Sequence, residues 1–253
     1  VNQYPVYIPS KNRASTCTTP GLLASFGIPY QIVVEPQLVR DYADVHGADK
    51  VLELPFRDKG LAASRNWIKE RADHQASWHW QIDDDLRSFY IWVGGKAVKC
   101  SAEDALTKTE EFVTRYTNVG IAGMRSSVFK PKTPFQVNQQ VYTCFMVNSA
   151  IPYMWRSDCQ EDTDYSLQVL TGGWCTILIN FYSFSSAPKM TPGGCTEVHY
   201  GQDGGARKLR NLQRHWPYLI PNLKRGSSGM PKASTAHLWR KFKTPLRLRD
   251  ETT

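Results

Sequence analysis

Three successive carboxylates, Asp83-Asp84-Asp85, directly follow the strand-like run Trp78-His79-Trp80-Gln81-Ile82. Such a cluster repels itself unless a cation joins it, and carboxylate oxygens suit Mg²⁺ or Mn²⁺, ions that share their coordination with substrate phosphates. A second acidic group, Glu161-Asp162-Thr163-Asp164, opens a helical run to Leu170. Carboxylates at a helix start complement the helix dipole, so this group alone carries little. Together with the first it supplies what a group transfer needs, a metal to neutralise a departing diphosphate and a base, Asp162 or Glu161, to take a hydroxyl proton. Two cationic stretches complete the set: Pro9-Ser10-Lys11-Asn12-Arg13 and Gly60 with Ser64-Arg65-Asn66. Lys11, Arg13 and Arg65 are candidates for charge-assisted hydrogen bonds to a diphosphate or a base edge, against the plain alternative of surface cations.

These residues need a frame that brings them to one edge. Strand-like runs at Tyr4 to Ile8, Gln31 to Glu35, Lys50 to Leu54 and Trp78 to Ile82 alternate with helical ones, the order of a parallel sheet with helical crossovers. Leu61, Ile68 and Ala72 share a helical face before the acidic strand, with Gly60 at its entry. Ser101-Ala102-Glu103-Asp104 reads as a near capping box ahead of the apolar stripe Ala105, Phe112, Val113 and Tyr116. A strand is expected at Val119 to Gly123, a β-rich stretch at Gln140 to Asn148, a helix at Asp162 to Leu170 and a strand at Cys175 to Phe181. Mixed strand directions fit that second half. The carboxyl end of a strand in such a sheet is where ligands bind.

Composition sets the limits. The chain has 253 residues, 41% of them hydrophobic and 12% aromatic, enough for a sizeable core. No apolar run approaches the roughly 20 residues of a membrane span. Six cysteines (Cys17, Cys100, Cys144, Cys159, Cys175, Cys195) form no C-x-x-C pair, so free thiols in a reducing cytoplasm are expected and no zinc site is signalled. The net charge of +8 belongs to one end: residues 205 to 249 hold 12 basic residues and no Asp or Glu, and the remaining 19 basic residues face 23 acidic ones. Interleaved Trp216, Tyr218, Trp239 and Phe242 make that stretch resemble a nucleic-acid footprint, with a solubilising or membrane-surface extension as the competing reading. A catalytic domain over 1–190 and a basic C-terminal extension over 191–253, packed on it, are expected. Because residue 1 is Val, a native start upstream is also expected.

The order of motifs resembles a glycosyltransferase of the GT-A fold, an α/β, Rossmann-like mixed sheet flanked by helices, over roughly residues 4 to 181. More narrowly, Tyr7-Ile8-Pro9-Ser10-Lys11-Asn12-Arg13, Val33-Val34-Glu35-Pro36, Ser64-Arg65-Asn66-Trp67-Ile68 and Gln81-Ile82-Asp83-Asp84-Asp85 resemble the phage TET/JBP-associated glycosyltransferases. That resemblance implies transfer of a sugar from a nucleotide-sugar donor, a UDP-sugar, onto 5-hydroxymethylcytosine in phage DNA, in the host cytoplasm. It puts Pro9, Ser10, Arg13, Glu35 and Arg65 on the donor side, with Lys11, Asn66 and Asp84 beside them. Asp83 would face the ribose and share the metal, Mn²⁺ or Mg²⁺, with Asp85, and Asp162 would be the base of an inverting displacement. A late histidine completes the metal site in many GT-A enzymes, and His199 and His215 are the candidates. Extruding the cytosine from the duplex is one route to its hydroxymethyl group, with Trp155 or Trp174 as the aromatic to cradle it. The acidic motifs equally permit a polysaccharide, lipid-linked or protein acceptor, or a nucleotidyltransferase. From a different class, a catalytically inactive DNA-binding module would keep the fold; the intact acidic pairs speak against it.

Overall fold

A computed structural model describes residues 2–156, 160–188, 204–219, 224–225, 231–232 and 236–249. The first half alternates β1 (Val6–Pro9), α1 (Thr19–Ala24), β2 (Gln31–Val34), α2 (Val39–His46), β3 (Val51–Glu53), α3 (Gly60–Asp73) and β4 (Trp78–Ile82). A hairpin of β5 (Leu86–Val93) and β6 (Lys96–Cys100) leads to α4 (Ala102–Val113), β7 (Val119–Ser126), β8 (Phe135–Val137) and β9 (Cys144–Asn148). Then come α5 (Glu161–Thr171) and β10 (Cys175–Ser186). Beyond them lie α6 (Gly204–His215), the short pair β11 (Lys224–Arg225) and β12 (Pro231–Lys232), and the single turn α7 (Ala236–Trp239).

Ten strands form one mixed sheet in the order β3-β2-β1-β4-β9-β7-β10-β5-β6, with β8 paired to β10. The strands β1 to β4 are parallel, whereas β9 runs against both β4 and β7, and β5 against β10. Both ends of that pattern follow from burial. Every residue of β1 and β4 is buried, as expected for strands covered on both faces. The hairpin β5–β6 forms the edge, and β6 is exposed over Lys96 to Lys99. This is the expected α/β class, a mixed sheet flanked by helices, and the site-bearing strand falls on the residues anticipated for it.

Local chemistry accounts for the elements that carry the site. Gly60 opens α3 at φ 84°, a backbone region that Gly enters freely, and Ser64, Arg65, Ile68, Lys69 and Ala72 form the buried face. Ser101 Oγ accepts the Asp104 amide at 3.0 Å and caps α4. In β7, a Cβ at Gly123 would meet the Cys144 carbonyl at 2.6 Å, so the close approach of β9 requires glycine there. The sequence did not announce α1, α2, β5, β6 or β8.

The C-terminal segments are not a detached tail where they are described. Leu212, Leu238 and Trp239 bury against Leu167 and Leu170 of α5. Residues 242–249 run along the amino ends of β7 and β10: Asn138 Nδ2 donates to the Thr244 carbonyl, Asn118 Nδ2 to that of Pro245, and Tyr116 bridges to Leu248. Arg247 and Arg249 therefore sit at the sheet edge opposite Asp83–Asp85.

Candidate active site at the carboxyl edge of the sheet

The adjacent parallel strands β1 and β4 deliver Ser10–Arg13 and Asp83–Asp85 side by side. The turn after β4 is fixed through its backbone. The amides of Thr18 and Thr19 donate to the Asp84 carbonyl (2.9 and 3.2 Å), and Thr19 Oγ1 donates to the Asp83 carbonyl (2.6 Å) while accepting the Leu86 amide (2.9 Å). The amide of Asp83 is held by the Thr143 carbonyl at 2.8 Å. Three like charges are thus set on a rigid turn, and their side chains part company.

Asp84 turns inward and is 6% exposed. Its Oδ1 accepts from Arg13 Nη1 at 2.8 Å and its Oδ2 from Ser10 Oγ at 2.5 Å. Tyr42 hydroxyl lies 2.6 Å from Ser10 Oγ and accepts the Arg13 amide at 3.0 Å. With the serine proton committed to Asp84, the tyrosine donates to the serine. Burial pushes the Tyr42 phenol up to about 12, which keeps it a donor. Burial also raises the Asp84 carboxyl, opposed by Ser10 and Arg13. Nothing in the sequence of α2 marks Tyr42 as the residue that faces β1.

Asp83 points the other way, to Arg65 Nη2 at 2.9 Å. That guanidinium, on α3, is 1% exposed, lies 4.9 Å from the Phe145 ring centroid, and reaches Gln81 Oε1 at 3.4 Å. Its Nε has no partner. The charge is held in place by Asp83, Asp162 and Glu161, which raise its pKa against the effect of burial. The two acidic groups, far apart in sequence, thus converge on one buried arginine. At the start of α5, burial and then the neighbouring Glu161 drive the Asp162 carboxyl well above the usual range, Arg65 opposing, and Asp162 Oδ1 is sealed from solvent with no hydrogen-bond partner.

Among the described residues, Asp85 receives no hydrogen bond from another side chain. Burial, then Asp83 and Asp84, raise its carboxyl to about 6. A cation would relieve that cost. Among the described residues no group of three or more His, Cys, Asp or Glu is arranged to hold a metal ion. A site of the Mg²⁺ type needs fewer, one or two carboxylates together with substrate phosphates. Asp85 and the outer oxygen of Asp83, whose side chain is 35% exposed, fit that requirement; Asp84, committed to Ser10 and Arg13, does not. His199 lies outside the described residues. His215 ends α6, the helix that packs on α5, and joins no such group.

On the far side of β1, Lys11 Nζ bridges Glu35 Oε2 at 2.8 Å and Asp58 Oδ1 at 2.7 Å, and Glu35 also accepts from the Asp58 amide and Gln37 Nε2. This ties together the loops after β1, β2 and β3. Pro9, the last residue of β1, is buried beside them. Asn66 clamps a backbone: its Nδ2 donates to the Trp155 carbonyl at 2.9 Å and its Oδ1 accepts the Trp155 amide at 2.7 Å. Both ends of the amide are occupied, so Asn66 shapes the wall of the site. Trp155 itself is a correction to the expected base cradle. It is 3% exposed and stacks between Tyr165, 3.9 Å away with 6° between planes, and Phe145. Trp174 is half-buried against the same cluster. Asp164, the last carboxylate of the second acidic group, pairs with Arg156 and accepts Trp216 Nε1 at 2.8 Å, tying α5 to the chain beyond α6.

A sheet of this type, with its polar cluster at the carboxyl ends of parallel strands, defines a Rossmann-like α/β protein with a ligand site at that edge. The chain belongs to the TET-associated glycosyltransferase family, whose profile matches residues 4–194. It is accordingly a transferase of the glycosyltransferase kind, in a family whose TET association connects it with DNA modification. No curated protein matches its sequence. Among solved structures it is similar to the inositol-1-phosphate CTP transferase from T. maritima, with 10% identity over 74% of this chain and 91% of that one, at a TM-score of 0.42. No helix among the described residues is long and apolar enough to cross a membrane.

Proposed function

We propose that this protein transfers a sugar from a UDP-sugar to the hydroxyl of 5-hydroxymethylcytosine in phage DNA, with inversion at the anomeric carbon. The observation that carries the reading is the convergence of Asp83, Arg65 and Asp162 at one sheet edge, with Asp162 Oδ1 sealed and unpartnered. A carboxyl whose proton affinity is raised by burial is a stronger base once ionised, and Arg65 keeps the ionised form accessible. Asp162 takes the hydroxymethyl proton as that oxygen attacks the sugar, and Glu161 beside it raises its proton affinity. Ser10, Lys11, Arg13 and Glu35 line the donor side, where Lys11 and Glu35 border the nucleotide and Asp83 meets the ribose. Asp85, with Asp83, would hold Mn²⁺ or Mg²⁺, which when bound neutralises the departing diphosphate.

The test is mass spectrometry of nucleosides from 5-hydroxymethylcytosine DNA incubated with the protein, Mn²⁺ or Mg²⁺ and a panel of UDP-sugars, with unmodified DNA as control. A hexose or N-acetylhexosamine mass on the hydroxymethylated base alone is the expected result. Donor hydrolysis without any addition would move the acceptor elsewhere, and neither reaction would remove the transferase reading with these donors.

A further inference from the structure

The β5–β6 hairpin and the loop between β7 and β8 form a surface that the site does not use. Residues 86–101 and 125–142 contain Arg87, Lys96, Lys99, Arg125, Lys130 and Lys132 and no carboxylate. The four lysines are exposed, and none of them pairs with a carboxylate among the described residues. The two segments meet: a Cβ on Gly95, at the hairpin turn, would lie 3.5 Å from Lys130 Nζ. Four of the eight large hydrophobic side chains exposed among the described residues are here, Val93 at 57%, Val98 at 49%, Val128 at 81% and Phe129 at 55%. Cations with no counter-charge among the described residues thus surround an exposed aromatic beside the exposed strand β6.

Position relates this surface to the chemistry. The strand β5 starts one residue after Asp85, and at about 3.4 Å per residue its end at Val93 is roughly 27 Å from Asp85. That is less than the ~34 Å of one turn of duplex. The loop carrying Phe129 leaves β7 at its carboxyl end, the same end of the sheet as Asp83–Asp85. By contrast, the described cations Arg247 and Arg249 of the basic end lie at the opposite edge.

We propose that the hairpin and the β7–β8 loop are the DNA-docking surface of this enzyme, a reading that rests on the DNA acceptor proposed above. Lys96, Lys99, Lys130 and Lys132 contact backbone phosphates along less than a turn of duplex, and Phe129 packs on a base of the same site. Charge complementarity selects a polyanion, and the exposed aromatic adds a contact that a phosphate-only binder would not need.

The test is binding of a fluorescent 20-base-pair duplex containing 5-hydroxymethylcytosine to the full chain across a salt series. The quadruple variant K96A/K99A/K130A/K132A is expected to bind at least tenfold more weakly. Its slope of log affinity against log salt should be shallower by about 2 to 4, since each phosphate contact contributes about 0.9. F129A should weaken binding roughly tenfold with the slope unchanged, in the range of a lost base–aromatic contact. The control R40A/K108A, which removes cations elsewhere, should match the parent, and all variants should hydrolyse donor alike and melt at the parent's temperature. Parent-like affinity and slope in the quadruple variant would overturn the surface assignment, as would loss of binding to phosphatidylserine vesicles with DNA binding intact. A parent that binds no DNA would remove both this proposal and the DNA acceptor. DNA binding through these lysines without sugar transfer would remove the acceptor chemistry alone.

Discussion

Asp84 and Asp85 are consecutive in sequence and opposite in circumstance. The first is buried, with both oxygens committed to Arg13 and Ser10; the second has no side-chain donor among the described residues and a carboxyl pushed up to about 6. The contrast extends to the regions on either side. The loops after β1, β2 and β3 are saturated with internal partners, in the Ser10–Tyr42–Arg13–Asp84 and Lys11–Glu35–Asp58 clusters. The β4–α5 side leaves Arg65 Nε and Asp162 Oδ1 unmatched, and Asp85 without a side-chain donor among the described residues. Buried polar groups without partners are costly and rare. The first region therefore reads as a preformed wall, and the second as the place where incoming groups complete the set.

The largest effect is expected where the second region is struck. Asp162→Asn removes the base with little change in volume, so transfer should fall by about 10² to 10⁴-fold. Donor affinity, measured calorimetrically, should stay within about twofold. An unaltered rate would take the proton-accepting role away from Asp162, and a matching loss of donor binding would make it part of the donor site.

Striking the wall should cost stability. In Asp84→Asn the Arg13 guanidinium, 11% exposed, loses its charged partner. Breaking a buried pair from one side costs about 3 to 5 kcal/mol, and urea unfolding should show a loss near the lower figure because Arg13 retains some access to water. Asp85→Asn, one residue on, should show no loss, since no side-chain partner is given up and a like charge is removed. Equal losses in the two variants would erase the distinction between the regions.

How much of this could be read from the chain depended on whether the signal was local. The strand β4 was legible to the residue, because Trp78, Trp80 and Ile82 alternate with polar residues directly before an acidic turn, and Gly60 with the Leu61, Ile68, Ala72 stripe announced α3. The carboxylates were visible as a cluster, but not their divergence. Which of three adjacent aspartates turns inward is set by Thr18, Thr19, Arg13 and Tyr42, residues more than 40 positions away. Trp155 illustrates the opposite error: an aromatic near an acidic motif suggested a base cradle, whereas stacking with Tyr165 and Phe145 makes it core. The edge strand β6 is not legible because a strand exposed over Lys96 to Lys99 loses the alternation by which strands are recognised.

The pH dependence of folding sharpens the same comparison from beneath the site. His79 on β4 is fully buried, 3.3 Å from Ser149 Oγ and 3.2 Å from Gln81, and burial together with the nearby Lys69 lowers its pKa to about 3. The folded value lies below the ordinary 6.5, so the unfolded chain binds the extra proton first. His79 then favours the folded state fully above about pH 6.5, and that contribution is lost as pH falls toward 3. Between pH 7 and 5 the loss is about 2 kcal/mol by linkage. His79→Gln cannot take up that proton. Its unfolding free energy should fall less steeply over this interval than the parent's, by about that amount, when the two are compared by urea titration at pH 7, 6 and 5. Parallel curves would mean that His79 is protonated within the fold, and that the layer joining Gln81 to Arg65 is wetter than its burial indicates.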